Sequence, residues 1–167
     1  MRLLILTFFI CSARLLAYDA SIGPAILEEG DDRLKPAAYV SFSAKDFGVH
    51  LFYNKNTYSP VHIQNTMIAI TRPLPIVLYD QIHIDLGGTA LYESVTINYQ
   101  GEKPSFQKEQ GNFNLGLFLS FSATYDLDPF SLRIGWQSGI FPAGLTGGIL
   151  LASGRKQYIS FSLGLKL

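Results

Sequence analysis

Ile159-Ser160-Phe161-Ser162-Leu163-Gly164-Leu165-Lys166-Leu167 sets a large apolar side chain at every odd position and a small or polar one between. Side chains alternate faces along a β-strand, so this stretch reads as a strand with one greasy face and one that is not. The same period recurs upstream. Leu115, Leu117, Leu119, Phe121, Ala123 and Tyr125 oppose Gly116, Phe118, Ser120, Ser122 and Thr124. Phe130, Leu132, Ile134, Trp136 and Ile140 oppose Ser131, Arg133, Gly135, Gln137 and Gly139. Ala38, Val40 and Phe42 alternate with Tyr39, Ser41 and Ser43, and Phe47, Val49, Leu51 and Tyr53 with Gly48, His50 and Asn54, Phe52 being the exception. Ile76, Leu78, Ile82, Ile84 and Leu86 oppose Tyr79, Gln81, His83, Asp85 and Gly87, with Asp80 breaking the apolar face. Val61 to Thr71 is strand-like but mixed, and Ala20 to Leu27 contains Pro24, which cannot donate to a ladder. The reading is an all-β chain of about eight strands without a helical period or an internal repeat.

Composition narrows the class. The 167 residues suffice for one domain; 48% are hydrophobic, 16% charged and 13% aromatic. No internal run is long and uniform enough for a transmembrane helix, which needs roughly 20 apolar residues. The formal net charge is zero, so a nucleic-acid partner has no electrostatic footing. The single cysteine, Cys11, falls in the N-terminal segment. There Arg2 precedes the apolar run Leu3 to Ile10, interrupted only by Thr7, and small residues follow at Ser12, Ala13 and Ala17. That order is expected of a secretory signal peptide over 1–17, ahead of a barrel domain over 18–167. Cleavage after Ala13 and cleavage after Ala17 both fit, and either leaves a mature chain without a thiol.

The polar face of the best strands is mostly Ser, Gly, Thr and Gln, with an occasional Arg or Lys. This is sparse cover against bulk water but suits a narrow, hydrated or hydrogen-bonded lumen. The apolar face suits lipid, and backbone groups in lipid must pair internally, so an antiparallel up-and-down transmembrane barrel is expected. The connections alternate accordingly. Ala44-Lys45-Asp46, Arg72 to Pro75 and Asp126-Leu127-Asp128 are expected as short periplasmic turns. Glu28 to Pro36, Lys55 to Ser59, Glu93 to Asn112 and Pro142 to Gln157 are expected as outer loops. Tyr53, Tyr58, Tyr79, Tyr92, Tyr125 and Tyr158 fall near strand ends, where an aromatic girdle would sit.

With the leader and the terminal Ser160-Phe161-Ser162-Leu163-Gly164-Leu165-Lys166-Leu167, the chain resembles the small eight-stranded outer-membrane proteins of Gram-negative bacteria. The ending is similar to their barrel-assembly signal, departing at Leu167, where an aromatic is usual, and at Ser162, where a glycine is expected. The resemblance implies outer-membrane localisation, lipid neighbours and contact with the barrel-assembly machinery during biogenesis. It spans adhesins, structural anchors, narrow pores and lipid A-modifying enzymes, so function stays open. The first expectation is a structural, adhesive or narrow-pore (porin-like) barrel, with any extracellular ligand met by loops 93–112 and 142–157. The alternatives are a lipid A deacylase or acyltransferase type, and a soluble periplasmic barrel holding an apolar ligand.

Candidate chemistry is thin. His83 and Asp85 share a strand face, and Ser120 or Ser122 from a neighbouring strand could complete a nucleophile, base and orienter. However, none of His50, His62 and His83 begins the His-x-Ser element of the deacylases. The simpler expectation is a polar lumen network in which His83, Asp85, Arg133 and Lys166 neutralise one another. The scattered histidines offer no metal-ligand spacing, no cofactor is implied, and Gly144 to Gly148 lacks the Lys and Ser or Thr of a phosphate loop. Asp80 on the greasy face reads as a residue near the periplasmic rim.

Overall fold

The computed structural model describes residues 19–28, 34–44, 46–58, 61–74, 81–98, 107–146 and 149–166. The expected leader, Tyr79 and Asp80 lie outside these residues. Eight strands follow in order: β1 (Asp19–Glu28), β2 (Leu34–Ser43), β3 (Gly48–Tyr58), β4 (Val61–Pro73), β5 (Ile82–Asn98), β6 (Gln107–Leu127), β7 (Phe130–Thr146) and β8 (Ile149–Lys166). Each is antiparallel to its neighbour in the chain, and β8 pairs back onto β1, so the barrel closes in sequence order. Closure leaves no edge with unpaired backbone groups.

The alternating apolar positions face outward. Ile22, Leu117, Ile134, Phe161 and Leu163 are among a belt of exposed large hydrophobic side chains around the barrel. The intervening serines, Ser41, Ser120, Ser122, Ser160 and Ser162, are buried inside. Tyr53, Tyr92 and Tyr125 stand outward and exposed, whereas Tyr158 is 1% exposed within the barrel and so does not belong to a girdle. Its position explains this: Tyr158 has the parity of Ser160 and Ser162, which point inward.

The seam between β1 and β8 forms despite Pro24. Asp19↔Lys166 through Ile22↔Leu163 pair, then Ala25↔Ser160 through Glu28↔Gln157, while Gly23 and Pro24 are skipped. Toward β2 the ladder runs through both residues without a gap. A proline lacks the donor that one side of the ladder would need, and the omission falls on the β8 side.

Several boundaries differ from the sequence reading. β5 begins at Ile82, the expected strand positions Ile76 and Leu78 lying outside the described residues, and β6 and β7 meet at Asp128-Pro129, joined by a cis peptide bond. The expected loops 93–112 and 142–157 are largely strand. Glu93↔Asn112 through Asn98↔Gln107 extend the β5–β6 hairpin, and β7 reaches Thr146 while β8 starts at Ile149. The first of these segments is rich in polar residues and the second in glycine, and both compositions read as loop until pairing with the partner strand is seen. β6 pairs with β7 only as far as Leu117↔Ile140. Beyond that row, at the end opposite the chain termini, β5–β6 and β7–β8 continue as two separate hairpins.

Candidate functional site

The interior is divided by a plug of rings. Phe52, Met67 and Phe118 are fully buried, and Tyr39, Phe141 and Tyr158 nearly so. Phe52 is central, with ring centroids 4.8 Å from Tyr39, 4.3 Å from Tyr158 and 6.1 Å from Phe118. Such pairs contribute roughly 0.5–1.5 kcal/mol each beyond the area they bury. A side chain at Gly139 would press on the Phe141 ring and the Met67 sulfur, so glycine there makes room for the plug. The mid-barrel is therefore apolar, where the small and polar faces of the strands suit a hydrated or hydrogen-bonded lumen. The clue lay in the two large residues on otherwise polar faces, Phe52 and Phe118.

Between the plug and the terminal end lies a polar chamber of about 200 Å³, lined in part by Ser43, His50, His83, Asp85, Ser122 and Arg133. Arg133 spans it. Its Nη2 donates to Asp19 Oδ2 at 2.7 Å, its Nε to Thr124 Oγ1 at 3.2 Å and its Nη1 to Ser43 Oγ at 3.4 Å. His50 roofs the chamber under the plug. It is hydrogen-bonded to Tyr39 Oη through Nδ1 at 2.9 Å and to Thr71 Oγ1 through Nε2 at 3.2 Å. Thr71 Oγ1 donates to the Gly48 carbonyl. Thr71 therefore accepts from His50 Nε2–H, and Nδ1 accepts the tyrosine proton, a tautomer assigned from the network. His50 also lies 5.2 Å from the Phe118 ring centroid, tying the chamber wall to the plug.

Of the four residues expected to form a lumen network, His83, Asp85 and Arg133 line this one chamber. Arg133 takes Asp19 as its ion-pair partner. Lys166 stands at the rim, 3.1 Å from Asp126, in a pair exposed on both sides. In the ladder His83 faces Ser122 and Asp85 faces Ser120. Among the described residues no hydrogen bond joins His83 to either serine or to Asp85, so the proton path of a nucleophile–base pair is not assembled. Nor does any group of three His, Asp or Glu among them stand close enough to hold a metal ion. Sequence reasoning missed Asp19, Ser43 and Thr124. Asp19 is 114 positions from Arg133, and only closure of the barrel brings them together.

On the other side of the plug, Lys156 Nζ lies 3.4 Å from Glu93 Oε2, joining β8 to β5. Asn54 and Asn65 face each other in the ladder, both buried. Asn54 Nδ2 donates to the Pro36 carbonyl. At the level of the plug, Gln137 Nε2 donates to Ser160 Oγ at 2.9 Å on its chamber side. Along the barrel axis the interior thus runs from one ion pair through the ring plug to a second ion pair.

Solved structures share this architecture. Neisserial surface protein A aligns over 89% of this chain and 95% of its own, with 13% identity and a TM-score of 0.52. Ail, the attachment invasion locus protein of Yersinia pestis, aligns over 88% and 95%, with 10% identity and a TM-score of 0.53. At such identities the likeness concerns the fold, an eight-stranded β-barrel of the kind seen in outer-membrane proteins. No family model matches the sequence, and no curated protein matches it significantly.

Proposed function

We propose that the chain is an integral outer-membrane barrel that conducts little and meets its partners through the projecting β5–β6 and β7–β8 hairpins. The observation that carries this reading is polarity turned inside out. Leu117 and Ile22 are 66% exposed on the outer wall, while Ser120 and Ser160 are buried within. An outer surface of that kind is stable against acyl chains and aggregates in water. A soluble barrel with an apolar ligand inside would need the opposite arrangement. The ring plug supports a closed interior, since Phe52 and Phe118 occupy the space through which an ion would pass. The separate hairpins support an adhesive or recognition role, because both extend past the last β6–β7 contact and the β5–β6 one carries the polar run Gln107-Lys108-Glu109-Gln110.

Fractionation and gel migration test the reading together. The protein is expected in detergent-extracted outer membrane, migrating differently before and after boiling, with no steady conductance in planar bilayers. Recovery as a soluble periplasmic protein would overturn the membrane assignment. Stable ohmic conductance would overturn the sealed interior.

A further inference from the structure

The outer wall of β7 and β8 breaks the apolar belt on its loop-facing half. Ile134 and Trp136 of β7 are followed on the same face by Ser138, and Ile159 of β8 is preceded there by Gln157 and Arg155. These residues form one cluster. Trp136 Nε1 donates to Gln157 Oε1 at 3.2 Å, Arg155 Nε donates to Ser138 Oγ at 3.2 Å, and the Arg155 guanidinium lies 5.6 Å from the centre of a Trp136 ring. The indole thus orients the cation and the hydroxyl engages Nε, leaving the outer fork of the guanidinium for another acceptor. Among the described residues no carboxylate pairs with Arg155. Glu28 stands opposite Gln157 on β1, exposed and unbridged to it.

Building on the membrane assignment, we infer that Arg155, Ser138, Gln157 and Trp136 form a lateral site for the phosphoryl headgroup of a surrounding lipid. A cation on the lipid-facing wall is costly unless it meets an anion, and at the loop-facing half of the belt the anions at hand are lipid phosphates. A planar fork held over an indole suits the two oxygens of a phosphomonoester. Toward the middle of the belt, Ile134 and Ile159 extend the contact to acyl chains.

Trp136 is the single tryptophan in the sequence, so its fluorescence reports this site directly. The protein is refolded into phosphatidylcholine bilayers and titrated with dioleoyl phosphatidic acid. A saturable change in Trp136 emission is expected, about tenfold weaker in apparent affinity for R155Q, a loss typical of one charge-assisted contact. E28Q, which removes a competing carboxylate, is expected to tighten the response, and K55Q, on a distant strand, to leave it unchanged. Heat-modifiable migration verifies that each variant is folded; should R155Q fail that check, R155K replaces it and is expected to weaken binding by losing the fork. A wild-type protein that inserts but stays silent would overturn the site alone, whereas failure to insert would overturn the membrane assignment beneath it. An equal response to inorganic phosphate, or one that tracks protein concentration instead of lipid phosphate, would overturn the lipid as occupant in favour of a soluble anion or a second copy of the chain.

Discussion

Arg133 donates to Asp19 at 2.7 Å, joining β7 to β1 over the intervening β8, with both side chains largely buried. Removing one partner strands the other charge away from water. Arg133→Gln is expected to destabilise the barrel by about 3 kcal/mol, read from urea-induced unfolding in micelles. Asp19→Asn should cost less, because Arg133 keeps Thr124 and Ser43 as acceptors. The double variant should lose less than the sum of the two. Lys166→Gln is the contrast: its pair with Asp126 is exposed, and a shift under about 1 kcal/mol is expected. Wild-type unfolding midpoints for both lumen variants would show that the brace contributes nothing.

Phe52 touches three other rings at the centre of the plug. Phe52→Ala should cost roughly 3–5 kcal/mol, as large-to-small core substitutions do. It should also open a path between the two polar compartments, seen as discrete conductance steps absent from the wild type. A variant that is destabilised yet still silent would place the seal elsewhere.

Gly23 lies on the β1–β8 seam, beside the gap in the ladder. A Cβ there would run into the Phe161 carbonyl oxygen and the Ser162 backbone, neither of which can swing aside. Gly23→Ala is therefore expected to impair closure, measured as loss of the faster-migrating folded band. Gly88→Ala is the control. Its Cβ would enter open space, and it should hold or gain stability by roughly 0.5–1 kcal/mol. Equal folding of the two variants would remove the seam argument.

Ile134 is 49% exposed on the outer wall, between Ala123 and Phe161 in the ladder. In a bilayer, Ile134→Arg should cost roughly 2–4 kcal/mol if the residue sits near the midplane. On a water-facing wall the same change would be nearly neutral. Refolding yield and urea midpoint in lipid vesicles distinguish the two.

How far the sequence carried can be argued from particular residues. The closing strand was legible almost in full: period two from Ile159 to Leu165 assigns every side chain to a face and the structure keeps each assignment, while Lys166 stands exposed at the rim. The first strand was legible only in outline, since Pro24 argued against it. That its missing donor falls on one side of the ladder could be seen only once both neighbours were in place. The extended hairpins read as loops because Gln107 to Asn112 is polar on both faces and Gly144 to Gly148 is rich in glycine; pairing with the partner strand is what carries β6 back to Gln107 and β7 on to Thr146.

Alternation by itself determined the all-β class and which residues share a face, because the pleat ties face to position without reference to anything distant, and the sparse polar cover of the second face pointed the greasy one outward. What fills the inside was decided by closure. Phe52, Phe118 and Tyr158 come from strands that are not all adjacent, and Arg133 meets Asp19 only after the chain has gone round the barrel. A local pattern says which face a residue takes; the number and stagger of the strands decide which residues from the far wall it meets there.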